Sequence, residues 1–147
     1  MHDQVVDRDR IEHTDILELI PQRAPMVMID RLISVEERSA ASVFQVTEDN
    51  IFVKDGLFQE SGLIENIAQT GAAMHGYHAR MRGEAAKNGY IGGIKNLEIH
   101  SLPDVGKCLT TVVTEAHYVM NTSIINGEIM VENQLIATCE MKVFLDD

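Results

Sequence analysis

The chain has 147 residues, 45% apolar and 24% charged. That suits one globular domain with its own core and excludes collagen, coiled-coil and disordered compositions. Its 12 lysines and arginines against 23 acids leave a net charge of −11 at pH 7, which argues against a nucleic-acid partner and against attraction to an anionic membrane.

Residues 1–12 read as a polar arm on a single domain spanning 1–147. The opening MHDQVVDRDR lacks the apolar centre of a signal peptide, and no window reaches the roughly 18 unbroken apolar residues of a membrane span. A soluble cytoplasmic protein is expected. Thr14 is placed to cap a short helix, TDILELI, which Pro21 ends, and PQRAPM follows as a turn-rich link. MVMIDRLISVE (26–36) and SAASVFQVTE (39–48) read as two strands joined by a hairpin around Glu37 and Arg38. Residues 50–58 are irregular, with Phe52, Leu57 and Phe58 turned toward something apolar.

The next stretch, GLFQESGLIENIAQTGAAMHGYHARM (56–81), reads as a long helix. Between 61 and 79 its one firmly charged side chain is Glu65, set among Leu63, Ile64, Ile67 and Ala68, with Gly71, Ala72, Ala73 and Gly76 beyond. After the loop GEAAKNG comes a strand, YIGGIKNLEIHSL, whose Gly92-Gly93 pair marks a bulge or a close approach by a ligand. The turn PDVGK precedes three β-rich runs, CLTTVVTEAHYVM, TSIINGEIMVE and QLIATCEMKVFL, with Asn126-Gly127 and Glu132-Asn133 as hairpin or bulge sites. No internal repeat is present. The layout fits an α+β domain in which an antiparallel sheet wraps one central helix, a helix that must then be apolar nearly all round.

Glu65 and Gln69 stand one turn apart and share a helix face, about 6 Å from each other along the axis. Gly62, Ala68, Ala72 and Gly76 cluster near that face, so a ligand has room to approach. A lone carboxylate in such surroundings suits general acid–base work. The helix start near Ser61 and Gly62 offers backbone N–H groups to an oxyanion or a thioester carbonyl. The plainer reading, an acid favoured by the helix dipole, stays open. Asp55, just ahead of Gly56, is the candidate to act beside Glu65. His75 lies ten residues on, about 15 Å along the helix and on another side, so it and His78 read as packing or interface residues. His100 and His117 fall on strands with nothing to select either, and His2 and His13 read as surface groups. Cys108 and Cys139 are too few for a disulfide framework and read as reduced core thiols. No metal is expected: there is no H-x-x-x-H pair, and His75-x-x-His78 is a poor site alone. There is also no nucleophile elbow, P-loop or dinucleotide fingerprint.

Three passages resemble the hotdog-fold 3-hydroxyacyl-ACP dehydratases, especially the divergent branch of polyene-type pathways. LIPQRAPMVMIDRLISVE is similar to the family's "LPHR.PM…DR" opening, LIENIAQTGAA to its E-x-x-A-Q helix signature, and YIGGIKNLEIHSLPDVGKCL to its Gly-containing strand. The resemblance implies a lyase of fatty-acid or polyene biosynthesis acting on acyl thioesters. It implies no cofactor beyond the phosphopantetheine arm of an acyl carrier protein, and a site at the interface of a homodimer, heterodimer or higher assembly. By that resemblance Glu65 is the catalytic helix carboxylate and Gln69 the glutamine that helps hold the site. Asp30 and Arg31 match a structural pair. Gly62 and Leu63 would supply backbone donors, while Phe52, Phe58, Gly92 and Gly93 would shape the acyl channel. Arg80, Arg82 and Lys87 form the obvious basic cluster for the carrier. The family's G-H-F-P-G loop histidine has no counterpart in EDNIFVKDGLFQESG. Two alternatives therefore stand beside dehydration: a thioesterase using Glu65 as general base, or a non-catalytic subunit that completes another dehydratase.

Overall fold

A computed structural model describes residues 10–146; residues 1–9 of the expected arm lie outside them. In chain order the strands are β1 (Arg31–Val35), β2 (Ser39–Gln45), β3 (Val53–Lys54) and β4 (Leu57–Phe58). The helix α1 (Glu60–Met81) follows, then β5 (Asn88–Ile99), β6 (Cys108–Val119), β7 (Thr122–Val131) and β8 (Gln134–Asp146). Six strands form one antiparallel sheet in the order β1-β2-β6-β7-β8-β5, and β3-β4 is a separate small hairpin.

The period-two pattern of the strands decides which face meets the helix. On β6, Leu109, Thr111, Val113 and Glu115 are buried while Val112, Thr114 and Ala116 are exposed. Leu63, Ile67, Met74 and Tyr77 of α1 join Leu109, Val113, Ile125, Ile129 and Met141 of the sheet in one core. Each such side chain contributes about 1.5–3 kcal/mol on burial. The helix ends where Gly83 takes a left-handed φ of 72°, so that the Glu84 N–H returns to the Ala79 carbonyl at 2.8 Å. This is the hotdog arrangement, a sheet curled around one long helix. No described helix is long and apolar enough to cross a membrane.

Several local readings are corrected. The helix expected at 14–20 is a single 3-10 turn, Ile16–Glu18, capped by Asp15 through a 3.0 Å bond from the Leu17 N–H; Thr14 Oγ1 instead bonds the Arg10 carbonyl at 2.6 Å. The first strand begins at Arg31 because the backbone of residues 26–28 is bonded to side chains of α1 rather than to a strand. Glu132 and Asn133 do form the β7–β8 turn, at φ 52° and 65°. Asn126-Gly127, by contrast, runs straight through β7. A Cβ on Gly127 would lie 2.5 Å from the Ile67 side chain, so the glycine serves helix approach, not a turn. The expected irregularity at Gly92-Gly93 is present as a register shift between Ile91 and Gly93. Cys139 is buried as expected, but Cys108 is exposed because it falls on the outward row beside the inward Leu109.

Candidate active site

Glu65 is half-buried on α1. Its Oε1 accepts a hydrogen bond from Gln69 Nε2 at 2.9 Å. Gln69 is itself fully buried and has no freedom to turn. Its Oε1 accepts from the Met28 N–H at 2.7 Å, and its Nε2 also donates to the Met26 carbonyl at 2.8 Å. With the carbonyl end fixed by a backbone donor, the amide NH2 must face Glu65. Asn66 makes a parallel clamp: Nδ2 donates to the Met28 carbonyl at 2.8 Å, and Oδ1 accepts from Thr111 Oγ1 at 2.5 Å. The segment before β1 is thus tied to α1, and Glu65 is oriented as part of that tie. Asp30 has the expected structural role, accepting the Gln45 N–H at 2.8 Å.

Glu65 opens onto a cleft of about 350 Å³ walled by Ala68 and Ala72 of α1, by Gln22, and by Gly89, Tyr90 and Ile91 of β5. The Oε1 atom of Gln22 is buried there without a hydrogen-bond partner, an arrangement that costs free energy while no donor is supplied. Among the described residues no histidine lines this cleft. Nor does any group of three or more His, Cys, Asp or Glu side chains form a metal-binding arrangement.

The other expected site residues lie apart from it. Asp55 is exposed in the β3–β4 turn, at φ 56°, and is absent from the walls of the Glu65 cleft. Gly62 and Leu63 both donate their N–H groups to the Gln59 carbonyl, at 3.0 and 3.2 Å, so neither is a free donor. Gly62 is covered by the Phe58 ring, which a Cβ would strike. Phe58 is fully buried and stacks at 5.7 Å on Phe44, while Phe52 packs partly buried on the same core. Gly92 admits the Phe144 ring and Gly93 faces open space; the β5 residues that wall the cleft are the three before them. Gly76 lies against the Leu19 backbone rather than toward Glu65. The basic cluster is also elsewhere: Arg80 is 3.5 Å from Glu18 and Arg82 is 3.1 Å from Glu84, at the far end of α1.

A second polar cluster went unread in the sequence. His75 Nε2 lies 2.6 Å from Glu115 Oε2, which also accepts from Ser123 Oγ at 2.5 Å. Burial pushes the His75 imidazole below its ordinary value, and the attraction of Glu115 opposes that shift without cancelling it.

The profile of the ApeP-like family, described as ApeP dehydratase, matches residues 14–147. The chain belongs to the ApeP-like family. A curated relative of the same kind, the 3-hydroxyacyl-(acyl-carrier-protein) dehydratase FabZ of Methylobacterium radiotolerans, is 26% identical over 136 residues, 88% of this chain and 86% of that protein. Among solved structures, the dehydratase heterocomplex ApeI:P from Xenorhabdus doucetiae has a chain of TM-score 0.87 at 20% identity, covering 92% of this chain and 93% of that one. Cj0977, a sigma28-regulated virulence protein of Campylobacter jejuni, follows the same fold at TM-score 0.70 and 13% identity, over 97% of this chain and 92% of that one. At these identities the two structures speak for the fold. The matched residues include both the Glu65 helix and β5.

Proposed function

We propose that the chain acts on 3-hydroxyacyl groups carried as thioesters on an acyl carrier protein. In this reading it is one half of a dehydratase whose other half is a second chain seated along β5. The observation that carries the reading is the composition of the Glu65 cleft: one oriented acid, no histidine, and a wall formed by the sheet's edge strand. The solved ApeI:P assembly is named a dehydratase heterocomplex, which agrees with a site completed by a different chain.

Dehydration breaks the C2–H and C3–O bonds and leaves a C2=C3 double bond and water. It needs a base for the C2 proton and an acid for the departing hydroxyl. Glu65, protonated, gives its proton to the C3 hydroxyl and is left as a carboxylate. Gln69 holds that carboxyl in place through its NH2 group. The unpartnered Gln22 oxygen is an acceptor for a substrate N–H or O–H. The base comes from the second chain, and water leaves from C3.

The test is to incubate the purified chain with a 3-hydroxyacyl thioester and with its enoyl counterpart, alone and with a histidine-bearing dehydratase chain that co-purifies with it. Enoyl absorbance and free thiol are both followed. The expected result is silence alone, and interconversion by the pair that Glu65→Gln abolishes. Free thiol released by the chain alone would establish a thioesterase instead. Interconversion unaffected by Glu65→Gln would reduce the chain to a scaffold.

A further inference from the structure

At the opposite end of α1, ten residues or about 15 Å from Glu65 along the axis, lies a separate cleft of about 310 Å³. Its floor holds Glu115, only 8% exposed, on the inward row of β6 that otherwise carries Leu109, Thr111 and Val113. Glu115 and the His75 imidazole that bonds it are polar groups on rows that otherwise face the core, and burying such groups brings no gain over apolar ones, so the fold alone does not account for them.

The hydrogen bonds around the cleft leave a definite remainder. Glu115 takes bonds from His75 and Ser123. A carboxylate acceptor at Nε2 puts the imidazole proton on that nitrogen, leaving Nδ1 as an acceptor with no partner among the described residues. Of the basic groups lining the cleft besides His75, His78 Nε2 lies 3.0 Å from the Glu36 carbonyl, and the two permanent cations are engaged, Arg82 by Glu84 at 3.1 Å and Lys87 by Asn121 at 3.0 Å. Glu37 lines it too and has no ion pair or hydrogen bond among the described residues. Three carboxylates, Glu37, Glu84 and Glu115, thus face two cations. The Tyr118 ring stands 5.1 Å from the His75 ring, and the negative end of the α1 dipole points the same way. What remains unpaired is acceptors and an aromatic face, the surroundings that hold an organic cation.

We propose that this cleft is a second ligand site that takes a small primary ammonium compound. The ammonium group bonds Glu37 and His75 Nδ1, and the alkyl part lies along Tyr118 and Leu145.

The test uses the full chain labelled with nitrogen-15 and titrated with n-butylammonium chloride. Sodium butyrate and sodium chloride at equal ionic strength serve as comparisons. The His75 imidazole nitrogens and the amides of Ala79 and Tyr118 should shift saturably with butylammonium and not with either salt. Glu37 and Tyr118 are both exposed, so Glu37→Gln and Tyr118→Leu keep the fold. Each should weaken the apparent affinity by about threefold, the size of one exposed charge or cation–π contact. Saturation by butyrate at the same resonances, shifts with butylammonium no larger than with sodium chloride, or both variants binding as tightly as the parent would overturn the assignment. No acyl thioester enters this experiment, so its outcome is separate from that of the Glu65 assay.

Discussion

Gln69 is the side chain on which the candidate active site and the fold depend together, and replacing it separates the two. Gln69→Leu conserves volume and removes three hydrogen bonds, to Met28 N, Met26 O and Glu65 Oε1. Met28 is fully buried, so its N–H is left without an acceptor or water, at about 1–3 kcal/mol. Met26 is exposed, and water can replace its bond at little cost. The bond to the half-exposed Glu65 adds about 0.5–1.5 kcal/mol, and the apolar leucine returns part of the total. The net expectation is a loss of about 2–3 kcal/mol, read as a lower urea midpoint at unchanged slope. The double variant with Glu65→Gln isolates the pair, and a coupling of about 0.5 kcal/mol or more is expected for groups in direct contact. A midpoint equal to that of the parent would refute the account of residues 26–28 as held by α1. Zero coupling would refute the orienting role of Gln69.

Three further outcomes follow from the same geometry. Gly76→Ala puts a Cβ 2.0 Å from the Leu19 carbonyl oxygen, a backbone atom that cannot turn aside, and should cost about 3 kcal/mol or more by urea titration. Gly127→Ala meets the movable Ile67 side chain instead and should cost clearly less; equal losses would contradict the distinction. Cys139 is buried and its thiol is pushed up to about 11 by that burial. A thiol-exchange reagent should therefore titrate exposed Cys108 in the native protein and reach Cys139 only in denaturant; two fast native equivalents would contradict this. Because His75 is held below its ordinary 6.5, the unfolded chain takes up that proton first as pH falls. Its contribution is intact above about pH 6.5 and is lost below it until the native pKa is reached. Urea titrations from about pH 8 to about pH 5.5 should show a smaller decline for His75→Gln than for the parent, and parallel declines would count against the burial of that ring.

Features set by local pattern were readable from the residues. The three β-rich runs that become β6 to β8, the hairpin between β1 and β2, the Glu132-Asn133 turn and the Glu65–Gln69 pairing are all carried by short-range signals along the chain. The errors share a different origin. Val27, Met28 and Ile29 look like strand residues, yet the backbone of this segment is bonded to side chains 38 to 43 positions away. Asn126-Gly127 is a strong local turn signal, overridden by the approach of Ile67. The cleft walls Gln22, Tyr90 and Val143 come from three separated segments, and no periodicity joins them. His75 is ten positions from Glu65 on its own helix, too far to pair with it. Its true partner, Glu115, sits on the inward row of β6, where a charged residue reads as an interruption of a strand rather than as half of a pair.

The sheet has two edges, and they are not equivalent. β1 is five residues long with a register shift inside it, a short and irregular border of the kind that resists further pairing. β5 is twelve residues long, bonded to β8 on one side only, and carries Tyr90 and Ile91 at 56% and 38% exposure with Ile94 and Leu97 beyond them. Its own irregularities fall between Ile91 and Gly93 and between Lys95 and Glu98. The regular part of the free edge is therefore Asn88 to Ile91, the run that contains the Gly89–Ile91 wall of the Glu65 cleft. A strand pairing there would cover exposed apolar side chains and bring its own residues to the rim of a cleft that has an acid and lacks a base. The feature that makes β5 a liability for an isolated chain thus lies at the point where the proposed chemistry is incomplete.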